Sequence, residues 1–350
     1  MLSKNQDMTL SIGPKHTLGA AVLVLWLVGC GGGGGSEVQA SPGGPIVNPS
    51  IPPTSSSEFV VFEDTASSEL LSGSLDGNSW RTLAAYRRGQ DAWSRLAAGR
   101  QLAVYRSASS QNDAVTLYEL SSAKPVLTQE IPKNTVIAGP VFGDRDLFLL
   151  RSFVGASDGG TAFVVNLRTG KVVNTLASGG ANATIDALPD GRMYRIDDKT
   201  GSISVGGADG VWTELGRLSI PVGTTLGSWR INHQGSKIAV VYQWFNAASA
   251  TQSDVWVAEI DGSNQYRLTN QGYVGQALWS PDDSQVAFKF DTSSLLGKLT
   301  GHCSYWKVPV NAREVSGLSY DQPHPIAAQM RVNLKGIKNY SPCNVIAWER

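Results

Sequence analysis

The chain has 350 residues, 41% of them hydrophobic, which is enough for a sizeable core. Formal net charge is zero, and without the leader's Lys4, Asp7 and Lys15 the balance is 27 basic to 28 acidic residues, so nothing points to a nucleic-acid partner. Three cysteines, Cys30, Cys303 and Cys343, form no metal-ligand cluster by spacing, while 38 glycines with ten tryptophans and ten tyrosines favour an all-β chain.

The first element is a leader. Lys4, Lys15 and His16 lie in a polar start, within which Met8 is a second candidate initiator. The apolar run 18–28 follows, too short for a comfortable membrane span and right for the core of a secretory signal. It ends in Leu27-Val28-Gly29-Cys30, which resembles the lipobox of bacterial lipoproteins. The resemblance implies a signal peptide over 1–29, cleavage before Cys30, and acylation of the Cys30 sulfur and amino group. The alternatives are an uncleaved signal anchor or a cysteine that merely follows an ordinary signal. Gly31 rather than Asp after the cysteine implies an outer-membrane address, on the periplasmic face or the cell surface. Residues 30–57 are glycine-, proline- and serine-rich and read as a flexible tether. At roughly 5–6 Å × √n, such a segment reaches about 30 Å.

Residues 58–350 form the folded domain, and a pattern repeats along it. Its core is an apolar residue, a polar turn, then a strand of small and β-branched residues. Trp279-Ser-Pro-Asp-Asp-Ser-Gln-Val286 is the clearest copy, and Ile231-Asn-His-Gln-Gly-Ser-Lys-Ile238 is the same device. Leu188-Pro-Asp-Gly-Arg-Met193 is shorter, and weaker copies begin at Phe142 and Leu96. Strand entries at Leu102, Leu147, Met193, Ile238 and Val286 are 45, 46, 45 and 48 residues apart. A hairpin follows each entry, as at 115–120, 162–167, 255–260 and 305–310, with a degraded copy at 201–205. About four short strands per period in the forties is the signature of a propeller blade.

The two ends look like parts of one further unit. Segment 344–348 matches 276–279 as an innermost strand, and Asp76-Gly-Asn-Ser-Trp-Arg-Thr-Leu83 matches Asp261-Gly-Ser-Asn-Gln-Tyr-Arg-Leu268 as a turn and outer strand. The expected fold is therefore all-β: a six-bladed β-propeller of four-stranded antiparallel blades, its ring closed by N- and C-terminal strands sharing one blade. Seven blades is the alternative if 64–93 holds another weak unit, and a β-sandwich is the runner-up fold. Segment 79–98 reads as a short helix or as strand-loop-strand.

At Asp261-Gly262, Arg267-Leu268-Thr269 and Trp279-Ser280-Pro281-Asp282 the chain resembles the TolB-like propeller family, with Asp283 in place of the usual glycine. The resemblance is strong over one repeat boundary and faint over the other units. It implies a six-bladed propeller and protein partners at the outer membrane. The family's namesake carries an additional N-terminal α/β domain, for which 58 onward leaves no room. The same repeat also occurs in propellers of certain serine peptidases and sugar-processing enzymes.

Chemistry-bearing residues are sparse. Gly155-Ala-Ser157-Asp-Gly159 has the nucleophile-elbow string, but a strand follows it rather than a helix, so it reads as a hairpin loop. His233 occupies an entry turn, where a solvated side chain is expected. His302 and His324 lie in the C-terminal insertions without further ligands at recognisable spacing, so no metal and no cofactor is expected. Asp282-Asp283 and Asp197-Asp198 sit beside turns, where aspartate caps its own backbone. Cys303 and Cys343 each precede a strand of neighbouring units, and in an oxidising compartment a disulfide between them would pin the closing blade. Chain-entropy reasoning for such a loop gives about 4 kcal/mol. The insertions 295–305 and 316–342 break the period and offer Tyr320, His324, Met330 and Tyr340 as candidate binding-loop residues.

These features support a lipid-anchored envelope protein, monomeric in its folded domain, that binds another envelope protein or a peptide without catalysis. The alternative is a periplasmic or surface enzyme acting on a glycan or small molecule in the central channel.

Overall fold

The computed structural model describes residues 58–64, 67–85, 192–206, 211–246, 251–292 and 303–349, with the strands between 91 and 188 and residues 122, 169 and 188. The leader, Cys30, the tether, His302 and the Gly155–Gly159 string lie outside the described residues.

All described elements are strands. In chain order they are β1 (Phe59–Asp64), β2 (Glu69–Ser74) and β3 (Trp80–Ala85); β4 (Asp91–Ala97), β5 (Gln101–Ser107), β6 (Asn112–Glu119) and β7 (Lys124–Pro132); β8 (Thr135–Pro140), β9 (Leu147–Ser152), β10 (Thr161–Asn166) and β11 (Lys171–Ala177); β12 (Ala183–Ala187), β13 (Met193–Asp197), β14 (Ser202–Gly206) and β15 (Trp212–Arg217). Then come β16 (Thr225–Ile231), β17 (Lys237–Phe245), β18 (Thr251–Glu259) and β19 (Tyr266–Arg267); β20 (Val274–Trp279), β21 (Gln285–Asp291), β22 (Cys303–Pro309) and β23 (Ala328–Gln329); and finally β24 (Val332–Leu334), β25 (Ile337–Tyr340) and β26 (Asn344–Glu349). Within segment 79–98, 80–85 and 91–97 are strands, β3 and β4, and 86–90 lie outside the described residues.

Five four-stranded antiparallel sheets are built from consecutive strands, from β4–β7 to β20–β23. A sixth has the order β26-β1-β2-β3, so the last strand pairs with the first, Val60 opposite Trp348. β24 and β25 form a separate hairpin. The expected entry residues Leu102, Leu147, Met193, Ile238 and Val286 all fall at the start of the second strand of a sheet. The expected ring-closed propeller of six or seven blades needs correcting, because no sheet is closed into a ring or barrel. Ladder pairing stops at the fourth strand of each unit, and neighbouring units meet through side chains and isolated backbone bonds such as the Arg217 amide to the Asp261 carbonyl at 3.1 Å. A recurring interval specifies where each sheet begins and ends. It carries no information about closure.

Burial within a sheet follows composition. β17, Lys-Ile-Ala-Val-Val-Tyr-Gln-Trp-Phe, is a continuous apolar run, and 238–242 are buried on both faces. Outer strand β15, with Glu214 and Arg217, is largely exposed. First strands of neighbouring sheets lie side by side, β16 against β12 and β20, and β20 against β26. Between them pack Trp279, Val274, Phe288 and Trp306 in one cluster, and Trp229, Ile231, Ile238 and Leu188 in another. The outer turns repeat too: the Asp76 and Asp261 carboxylates accept from the Asn78 and Ser263 amides, each at 2.9 Å, and Gly77 and Gly262 follow at φ 74° and 83°. Gly262 also lets the chain approach the neighbouring sheet, since a Cβ there would stand 2.2 Å from the Arg217 carbonyl oxygen.

The Arg267-Leu268-Thr269 string has a structural role. Asp254 on β18 is fully buried and accepts from Thr269 Oγ1 at 2.7 Å, from the Gln271 amide at 2.8 Å and from Arg267 at 2.5 Å. Thr269 Oγ1 in turn accepts the Val255 amide at 2.9 Å, and Leu268 is buried in the core. Removing the carboxylate strands the Thr269 and Gln271 donors and leaves Arg267 with Glu314 alone, 3.9 Å away. Asp254→Ala should cost about 3–5 kcal/mol, the range for breaking a buried ion pair from one side. Urea unfolding measures it, and a loss below about 1 kcal/mol would contradict this role.

Candidate functional site

The β16–β17 and β20–β21 turns lie side by side as a ridge, and here charged side chains cross from sheet to sheet. The β16–β17 turn, 232–236, sits between Arg192, just before β13, and the β20–β21 turn. Gly235 (φ 72°) shapes it, and a Cβ at Gly235 would meet Arg192 Nη1 at 2.8 Å. The Asn232 carboxamide closes the turn from inside, accepting the Ser236 amide at 2.8 Å and the Lys237 amide at 2.9 Å.

Asp283 reaches this turn from the next sheet. Its carboxylate accepts from the His233 amide at 2.9 Å, the Gln234 amide at 3.0 Å and Asn232 Nδ2 at 3.0 Å. It also meets His233 Nδ1 at 2.8 Å. From the other side Arg192 donates to the Gln234 carbonyl at 3.3 Å and to Tyr194 Oη at 3.1 Å. One residue, Gln234, is therefore held by an anion at its N–H and a cation at its C=O. Asp283 stands at φ 60°, at the position that Gly235 holds in the β16–β17 turn. Aspartate is among the few side-chain-bearing residues that tolerate this region, and here its side chain is put to use.

Asp283 is 7% exposed at its side chain and His233 42%. A carboxylate only accepts, so in the neutral ring the proton sits on Nδ1, and Nε2 is an acceptor on the far side of the ring. That arrangement orients a base or a ligand-binding nitrogen. In the sequence both positions read as local turn residues, and the missing glycine at 283 is the only hint.

Its neighbour Asp282 behaves as sequence suggested, accepting from the Ser280 hydroxyl at 2.7 Å, the Ser284 hydroxyl at 2.8 Å and the Ser284 amide at 3.1 Å. These donors, the Ser280 hydroxyl foremost, hold its pKa down at about 2. Asp197 likewise accepts from Lys199 and Thr200 of its own turn.

The candidate loop residues are dispersed. His324 braces its own loop: Nδ1 accepts the Ala327 amide at 3.0 Å, and Nε2 meets the Ser316 carbonyl at 3.1 Å. Met330 is 1% exposed, part of the cluster that joins Phe62, Tyr305 and Trp348. Tyr340 is half-buried with its ring 5.9 Å from that of Phe62, and burial, then Asp64 and Tyr320, push its pKa up to about 12. Tyr320 is half-buried as well. The 312–318 segment runs along β19, with Val315 bridging Thr269.

The seam between the β20–β23 sheet and the sheet of the chain ends is reinforced. Tyr305 Oη donates to Gln276 Oε1 at 2.6 Å and lies 3.2 Å from the Val345 carbonyl. The β24–β25 hairpin lies on β2, with Asn333 bonded to the Gly77 carbonyl at 2.8 Å and Lys335 paired with Glu69. Cys303 and Cys343 are joined here, with Cα atoms 5.2 Å apart.

No family profile matches the chain, and no curated protein matches it. Among solved structures it is similar to TolB from Acinetobacter baumannii, at 16% identity over 75% of this chain and 65% of that one, with a TM-score of 0.52. It thus spans just under two thirds of that protein's length. A TolB from Agrobacterium tumefaciens gives 14% identity over 78% and 88% of the two chains, TM-score 0.44. Hydrazine synthase of Kuenenia stuttgartiensis gives 15% over 74% and 82%, TM-score 0.42. The first likeness shows an all-β, propeller-like fold. Likeness at this identity spans proteins of unrelated activity and assigns none.

The two aspartates of the ridge should separate experimentally. Asp283→Ala leaves two amides and a carboxamide of the next turn without their acceptor and should cost about 1–3 kcal/mol. Asp282 should show in the acid limb instead. Its folded pKa is depressed, so its stabilisation is complete above 3.8 and is lost as pH falls toward about 2. Unfolding followed across that window should be flatter in Asp282→Asn than in the parent, and parallel curves would refute the assignment.

Proposed function

We propose that this chain is a lipid-anchored binding or scaffold protein of the bacterial cell envelope, which presents its propeller-like domain to a protein or peptide. The carrying observation is where the buried acids go. Asp254 holds its own sheet's loop, Asp186 accepts the Ile231 amide of the next sheet at 3.3 Å, and Asp283 clamps a neighbouring turn. Among the described residues these carboxylates serve the frame, and the apolar Val222 and Ile326 on its loops and Phe245 at the end of β17 are left exposed. The leader ending in Cys30, followed by a tether of small and polar residues, supports placement at the outer membrane. Cys303 and Cys343 would then be oxidised after export.

A second reading, an enzyme for a glycan or small molecule, is favoured by the His233–Asp283 pair alone. Crosslinking mass spectrometry on the native lipoprotein distinguishes the two. A protein crosslinked reproducibly to the folded domain, and equally to a His233→Ala form, is the expected result. Recovery of lipid alone would overturn the binding reading. Two accompanying measurements check the anchoring chemistry. Labelled fatty acid should enter the wild type and not Cys30→Ser, and thiol titration of the unreduced mature protein should find neither Cys303 nor Cys343 free.

A further inference from the structure

The end of the β21–β22 hairpin brings a third side chain to the two cysteines. Asp291 is the cross-strand partner of Cys303, and Cys343 arrives from the segment before β26. One carboxylate oxygen and the two sulfurs all lie within 4.8 Å of one another, each residue half-buried. The Cys343 carbonyl oxygen stands 3.5 Å from Cys303 Sγ.

We propose that this cluster, when its cysteines are reduced, is a site for zinc or a similar thiophilic divalent cation, with Cys303, Cys343 and Asp291 as ligands. The donor set is of the right kind: two thiolates suit a borderline-soft cation and a carboxylate oxygen completes a mixed site. The dimensions agree. Zinc–sulfur bonds of about 2.3 Å put two tetrahedral thiolates about 3.8 Å apart. Side-chain rotation from the present positions reaches that separation, because the backbones already stand 5.2 Å apart at Cα. The fourth position falls to the Cys343 carbonyl or to water.

Charge closes as well. Two thiolates, one carboxylate and a divalent cation sum to one negative charge, and Lys289 Nζ lies 3.2 Å from Asp291 Oδ2 to offset it. Opening the site is a two-electron step. A dithiol reductant transfers two electrons and two protons to the Cys303–Cys343 bond and becomes a disulfide itself; binding zinc then releases the two thiol protons to water. Metal and disulfide exclude each other and tie the same two segments together, so the seam is clasped in both redox states. This proposal does not depend on the binding role or on lipidation.

The test uses the full chain carrying Cys30→Ser, so that no third thiol contributes. After anaerobic reduction and removal of reductant, added zinc should be retained at one per chain against a chromophoric chelator, and the oxidised protein should retain none. Cobalt in place of zinc should give thiolate-to-metal charge-transfer absorption. Asp291→Asn should weaken zinc at least tenfold, and Cys303→Ser with Cys343→Ser should abolish retention. The wild-type comparison of reduced and oxidised protein needs no variant. Equal retention in those two states, or cobalt binding without charge-transfer absorption, would overturn the proposal.

Discussion

The structure depends on satisfying backbone amides at the inner turns with carboxylates from the next sheet. Sheets that share no ladder need directional bonds as well as apolar contact, because apolar packing alone tolerates sliding. Asp283 supplies such bonds to the Asn232–Ser236 turn, and Asp186 does the same for β16. Trp279 Nε1 adds a bond to the Arg230 carbonyl at 2.9 Å. Each crossing bond sits at the edge of an apolar cluster, where Trp229, Ile231 and Trp279 exclude water and raise the cost of leaving an amide unpaired.

The same constraint shows at the seam, where the chain's two ends share a sheet. β26 reaches β1 only through ladder bonds and the residues packed behind it. Tyr305, Met330 and Val332 fill that space, the β24–β25 hairpin lies across it, and the cysteines tie it covalently. Insertions that interrupt the repeat thus serve the seam between these two sheets. Met330 and His324, attractive as exposed loop residues in the sequence, are used for packing and for bracing.

A rigid frame of this kind leaves recognition to its loops and rims. The His233–Asp283 pair is a place where a titratable group is both oriented and exposed, and it lies on the ridge of inner turns. It rests on a residue with a side chain where the β16–β17 turn has Gly235. A protein of this fold can host binding or chemistry, and residues such as these, added to the repeat, are where the two would part.

Much of the fold was legible. Polar turn blocks and β-branched runs are local signals, so strand entries, outer turns and the pairing of the two chain ends could be read from Asp76-Gly77, Asp261-Gly262 and the tryptophans at 279 and 348. The site was scarcely legible. Asp282 and Asp283 are adjacent and chemically identical, yet one bonds its own turn and the other the turn of another sheet. Which does which depends on a positive φ and on the distance between sheets. Asp291 joined the cysteines because a hairpin end happens to face the segment before β26. Sequence by itself determined the strands and their repeat, since these follow from local propensity and composition. Tertiary structure decided which carboxylates meet which partners, because contacts between separate sheets are set by geometry that no local pattern encodes.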